Sequence, residues 1–151
     1  MYSLILLLHS WLRWAVLLAG VVVVARALAR GGRPWTPTDE RAGSWFVITL
    51  DLQLLLGALL YFALSRITRQ AFDDFGAAMR TSGIRFWAVE HLFGMVIAIA
   101  LAHVGKSRIR KAATDARRHR LALIFFGLAL LAVLVSIPWP AMSNGRPLFR
   151  W

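Results

Sequence analysis

Four long runs of apolar residues constrain the fold of this chain more than any other feature of its sequence. The runs cover residues 4–28, 44–64, 84–104 and 121–137, and polar connections separate them. A helix needs about 20 predominantly apolar residues to cross the hydrocarbon core of a bilayer. We therefore expect an all-α fold in one domain over residues 1–151, built as an integral membrane antiparallel four-helix bundle.

The charge distribution supports a membrane protein over a nucleic-acid-binding protein. The net charge is +11, but 59% of the residues are hydrophobic. Most arginines and lysines lie in the connections and at the ends of the runs, where they can contact anionic headgroups. We therefore expect the lipid bilayer as a partner and no nucleic acid. The absence of cysteine excludes disulfides and thiolate metal sites.

The first run could be mistaken for a secretory signal peptide, because the sequence ARALA near its end resembles a cleavage site. No basic segment precedes the run, however, and His9 and Arg13 interrupt it. We expect a retained spanning helix.

The basic residues also predict an orientation. The first and third connections hold eleven arginines and lysines, whereas the second connection and the C-terminal tail hold six. Because cytoplasmic loops carry an excess of Lys and Arg, both termini are expected outside the cytoplasm.

The third run contains Glu90, His91 and His103, and ionisable residues inside a span usually have a function. Viewed along a helix, Met95, Ala98 and Ala102 lie within about 40° of the direction of His91. This stripe of mostly small residues could accommodate a flat group bound by His91. His103 points about 120° away and belongs to a different face.

His9 and His91 are expected at similar depth, because the first and third helices of such a bundle run parallel. Two histidines at one level on separate helices can supply the two axial ligands of a b-type haem. Two alternatives remain open at this point. Each histidine could simply hydrogen-bond a neighbouring carbonyl or headgroup, or His9, His91 and Met95 could bind copper.

The other polar groups have simpler interpretations. Arg13 is expected about 18 Å below the outer end of the first span. Asp51, on the second span, is expected at a similar depth of about 20 Å, and these matched depths predict a buried ion pair between the two residues. His119 lies among arginines and is interpreted as a solvated loop or headgroup contact. The connection over residues 65–83 is expected to hold a short surface helix.

Several stretches resemble a known family. LLHSWLRW, DLQLLLGALLYF, RFWAVEH, KAATDARRHR, SIPWP and GRPLF occur in this order along the chain. They resemble small bacterial four-span membrane proteins labelled cytochrome b or cytochrome b-like. The resemblance implies a bacterial four-helix membrane protein that binds haem b through His9 and His91. Together with the charge count, it predicts a multi-pass protein of the bacterial inner (plasma) membrane with both termini periplasmic.

The expected function follows from these observations. We expect a membrane b-type haem protein that passes electrons within or to a larger redox complex, or to a quinone. Arg85, near the outer end of the third span, is the candidate cation for a haem propionate. The alternative is a non-catalytic accessory subunit of a respiratory or photosynthetic membrane assembly. The sequence shows no nucleophile–base constellation, so an electron carrier or subunit is favoured over a self-contained enzyme.

Overall fold

A computed structural model gives the structure of residues 1–29 and 32–149, and within these ranges the secondary structure is entirely helical. The helices are α1 (Tyr2–Leu28), α2 (Pro37–Leu59), α3 (Arg66–Asp73), α4 (Phe75–Arg80), α5 (Ser82–Arg85), α6 (His91–Arg110) and α7 (Asp115–Ser136). Two π-helical segments, Leu60–Leu64 and Phe86–Glu90, continue α2 and lead into α6. Four of the resulting helices are long and apolar enough to cross a membrane. The predicted all-α class and the four long apolar helices are confirmed.

Three of these helices extend beyond the apolar runs at one end of the molecule. α2 begins at Pro37, α6 ends at Arg110 and α7 begins at Asp115. Capping explains two of these boundaries. The Thr36 side chain accepts a hydrogen bond from the backbone of Asp39 in a capping box, and Thr114 caps α7 in a similar way. Hydropathy alone does not detect such polar first turns.

The connection after α2 holds several short helices, where the sequence predicted one. Ser65 caps α3 and Asp74 caps α4, each through a side-chain oxygen that accepts a backbone N–H. These caps divide the connection into separate turns.

The four long helices surround one hydrophobic core. α1 packs against α2 and α7, and α6 packs against α7 and α2. The edge-to-face contact of Phe46 on α2 with Phe126 on α7 crosses the centre, with ring centroids 5.8 Å apart. Val16 on α1 and Ala98 on α6 are buried in the same core.

The stripe of small residues on α6 packs against α7. Met95, Ala98 and Ala102 are buried in the core, and a Cβ atom on Gly105 would lie 2.5 Å from the Cβ atom of Phe125 on α7. The stripe therefore lets two helices approach closely. Along Ala98 and Ala102, α7 occupies the space that we expected for a macrocycle, and that part of the expectation is corrected.

Candidate functional site

The structure brings His9 and His91 together. His9 lies on α1, His91 is the first residue of α6, and their ring centroids are 6.4 Å apart with an angle of 69° between the ring planes. Both side chains line one cavity of about 290 Å³. Residue spacing predicted that the two histidines lie at one level. It did not predict how α1 and α6 are rotated about their axes, and this rotation is what makes the two side chains face each other.

The ring of His91 is oriented by its surroundings. Its Nδ1 lies 2.8 Å from the backbone oxygen of Ser136 on α7. Because a carbonyl can only accept, Nδ1 carries the proton and Nε2 keeps its lone pair. Metal-binding histidines usually donate their second nitrogen to a carbonyl or carboxylate in this way. Phe86 and Trp87 flank the ring at 5.9 and 5.7 Å between centroids.

His9 packs directly over α2. A Cβ atom on Gly57 would lie 3.2 Å from Cε1 of His9, so the glycine makes room for the ring. Gln53 donates from Nε2 to the backbone oxygen of His9 at 3.1 Å. Within the described part of the chain, Nδ1 of His9 and Oε1 of Gln53 are buried without a hydrogen-bond partner. Buried polar atoms of this kind are costly, so a polar ligand in the cavity would offset the cost.

The two π-helical segments border this cavity. Leu60 and Tyr61 line it from the first segment, and Trp87 lines it from the second. The Tyr61 hydroxyl donates to the backbone oxygen of Ala88 at 2.6 Å and links the two segments. π-Helical turns occur frequently at functional sites. Sequence periodicity did not reveal either segment.

The C-terminal tail forms one wall of the cavity, which the sequence analysis did not anticipate. Pro147 lines the cavity, and the backbone oxygen of Leu148 accepts hydrogen bonds from Arg13 and Trp14 on α1. Phe149 stacks on Trp14 with ring centroids 5.3 Å apart. The aromatic residues of GRPLF and LLHSWLRW were visible in the sequence, but their contact was not.

Among the residues that the structure describes, two arginines line the cavity, and neither is Arg85. Arg13 reaches it from α1 and Arg146 from the tail, where the Arg146 guanidinium lies 5.2 Å from the centre of the Trp87 ring. Arg85 instead pairs with Glu90, at 2.7 Å between Nε and Oε1, and this ion pair is exposed. The structure therefore places Arg85 outside the lining of this cavity.

The predicted ion pair between Arg13 and Asp51 is wrong. Oδ1 of Asp51 lies 2.8 Å from Nε2 of His103, so Asp51 pairs with α6. The Asp51 and His103 side chains are 43% and 52% exposed. A depth counted along the helix does not say which neighbouring helix a side chain faces.

Of the two interpretations of His119, the solvated loop is wrong, and the headgroup contact stays a prediction. His119 is 1% exposed and lies at the other end of the molecule, with its ring centroid 5.0 Å from that of Trp35. Because α7 begins at Asp115, His119 is already inside the helix and faces the connection between α1 and α2.

Comparisons with protein-family models, with curated proteins and with solved structures find no match to this chain. Among the described residues, no group of three or more His, Cys, Asp or Glu side chains is arranged to hold a metal ion. The histidine pair and the residues around it therefore define what this site can bind.

Proposed function

We propose that the chain is an integral membrane protein whose four long helices form an antiparallel bundle. Each helix carries a large apolar side chain that faces outward: Leu18, Leu55, Phe93 and Val135 are 67%, 65%, 64% and 68% exposed. Apolar surface on all four helices suits lipid and is too extensive for a water-facing surface. Opposite directions of α6 and α7 are supported by the contact between His91, the first residue of α6, and Ser136, the last residue of α7.

We further propose that the bundle binds a b-type haem between His9 and His91. The observation that carries this proposal is the spacing of the two imidazole rings. Two histidines that hold one haem iron must bring their rings close together, and His9 and His91 would be the residues that hold it. The observed separation is 6.4 Å. The Nδ1 contact of His91 with a carbonyl also leaves its Nε2 able to bind a metal.

The charge of the cavity favours a haem, whereas its volume does not. Arg13 and Arg146 supply the positive charge that haem propionates need. The volume of about 290 Å³, by contrast, is at the lower end of the range for small-molecule pockets. A porphyrin is larger than this cavity, so the haem proposal requires the cavity to widen when the group binds.

The proposed role is electron transfer. A bound b-type haem supplies reversible one-electron chemistry. The protein residues would hold the group, exclude water and balance its charge. The partner would be a quinone or a larger redox complex of the bacterial inner membrane, with the histidine pair near the periplasmic face.

Spectroscopy of the purified protein tests the haem. Protein from haem-replete cells should show sharp low-spin b-type bands in reduced-minus-oxidised spectra, at about one haem per chain. His9→Ala and His91→Ala should abolish the bands. His103→Ala is the matched control and should keep them, since His103 pairs with Asp51 away from the cavity. A colourless but folded wild-type protein would reject the haem and favour the accessory-subunit function.

Copper is the second candidate, because Met95 lines the same cavity as the two histidines. Thioether and imidazole ligands suit copper, and a single ion fits the observed volume. Elemental analysis distinguishes the two candidates. Stoichiometric copper that is lost in Met95→Leu and His91→Ala would replace haem as the ligand.

A further inference from the structure

A second cleft lies at the opposite end of the molecule from His9 and His91. It has a volume of about 1000 Å³ and lies between the connection that follows α1 and the first turns of α7. Arg33, Arg117 and Arg120 line it, together with Asp115. Arg33 is paired with Asp39, and Asp115 with Arg118. Arg117 and Arg120 have no such partner among the described residues, so the cleft carries net positive charge.

The cleft also contains an unusual histidine. His119 lines the cleft and is 1% exposed, and neither of its ring nitrogens has a hydrogen-bond partner within the described part of the chain. A buried imidazole without any partner is costly unless a ligand supplies one. The N-terminus of α7 lies beside it, and a helix N-terminus favours negative charge.

The lower part of the cleft is apolar. Leu121 and Ile124 line it one and two turns below Arg117, and Ile124 is 42% exposed. The cleft is thus positively charged near Arg117 and apolar along Leu121 and Ile124. A phospholipid has the same order along the membrane normal, with a charged phosphate followed by apolar acyl chains.

We propose that this cleft binds an anionic phospholipid, with its phosphate held by Arg117 and Arg120 at the N-terminus of α7. The phosphate or glycerol oxygens provide the acceptor that His119 otherwise lacks. The acyl chains follow Leu121 and Ile124. This inference rests on the proposed membrane insertion and is independent of the haem.

Lipid titration of the purified full-length protein tests the site. In neutral detergent, dioleoylphosphatidylglycerol should raise the Tm in a saturable way, and dioleoylphosphatidylcholine should not. Each arginine near an anionic headgroup contributes about 1 kcal/mol, so R117Q/R120Q should raise the half-saturating lipid concentration about thirtyfold. The matched control R108Q/R110Q removes two charges from the same end of the molecule but outside the cleft, and it should change that concentration less than threefold.

Two further measurements complete the test. His119→Phe keeps an aromatic ring against Trp35 but removes both ring nitrogens. It should therefore weaken lipid binding, whereas the Tm without lipid should stay close to that of the wild type. Inorganic phosphate should not reproduce the Tm shift. Equal shifts with both lipids, equal effects of the two double variants, or a full shift with phosphate alone would each overturn the proposal. Reconstitution into phosphatidylcholine bilayers reports separately on membrane insertion, so a failed lipid site is distinguishable from a failed membrane assignment.

Discussion

Asp39 illustrates how a single charged residue can organise one end of this protein. It is 2% exposed, and its carboxylate accepts hydrogen bonds from Arg26 at 2.8 Å and from Arg33 at 2.7 Å. The backbone N–H of Thr36 donates to the same carboxylate and closes the capping box of α2. The hydrogen bonds that Asp39 accepts from Arg33 raise the pKa of the Arg33 guanidinium. One side chain thus joins the C-terminal end of α1 to the start of α2.

Removing this charge should destabilise the fold. Asp39→Asn keeps the size of the side chain but leaves two arginines without their counter-ion. We expect a loss of about 2 kcal/mol, below the usual range for a buried pair because both arginines are partly exposed. The free energy of unfolding can be measured by SDS titration in mixed micelles.

Glu40→Gln is the matched control for this change, because it removes a neighbouring charge in the first turn of α2. It should cost less than about 0.5 kcal/mol. Equal losses in the two variants would show that the arginine contacts of Asp39 contribute nothing.

The packing of α6 on α7 depends on small side chains. Gly105 on α6 faces Phe125 so closely that any Cβ atom would overlap the Cβ atom of the phenylalanine, which cannot move without its backbone. Small residues at such positions let helix backbones approach each other in membranes. The buried Ala98 and Ala102 continue this contact surface along α6.

Two glycine substitutions should therefore have opposite effects. Gly105→Ala should cost about 1–3 kcal/mol, because the two helices have to separate. Gly127→Ala on α7 has open space around the new methyl group and should be neutral or stabilise by up to about 1 kcal/mol through helix propensity. Thermal unfolding of both variants in detergent measures the difference. A Gly105→Ala protein as stable as Gly127→Ala would contradict the close contact.

The molecule as a whole has unlike ends. The histidine cavity lies at the end with the C-terminal tail, and the connections with more basic residues lie at the other end. Since the positive-inside rule depends on this asymmetry, the cavity should face the periplasm.

Cysteine labelling checks the orientation, and the chain has no native cysteine to interfere. Cysteine is introduced in separate variants at Ser143 in the tail and at Ala113 between α6 and α7, both of which are exposed. Ala113 is preferable to its neighbour Thr114, which caps α7. In intact cells an impermeant thiol reagent should label only the variant at Ser143. Labelling only at Ala113 would invert the orientation.

The sequence alone determined the four long helices and their order. Long apolar runs and capping residues act locally, so the four long helices could be predicted, with errors only at ends such as Pro37 and Asp115, where polar first turns extend the helix. Helical rise depends only on counting residues, which is why the matched depth of His9 and His91 was predictable.

Only the tertiary structure decided which side chains meet. The rotation of each helix depends on how all four pack together, so Asp51 pairs with His103 instead of Arg13, and α7 occupies the small-residue stripe of α6. The π-helical segments shift the register next to the cavity, and the tail returns to α1 through contacts between residues more than 130 positions apart. Such long-range contacts leave no periodic signal in the sequence, because their energy depends on groups that only the folded chain brings together.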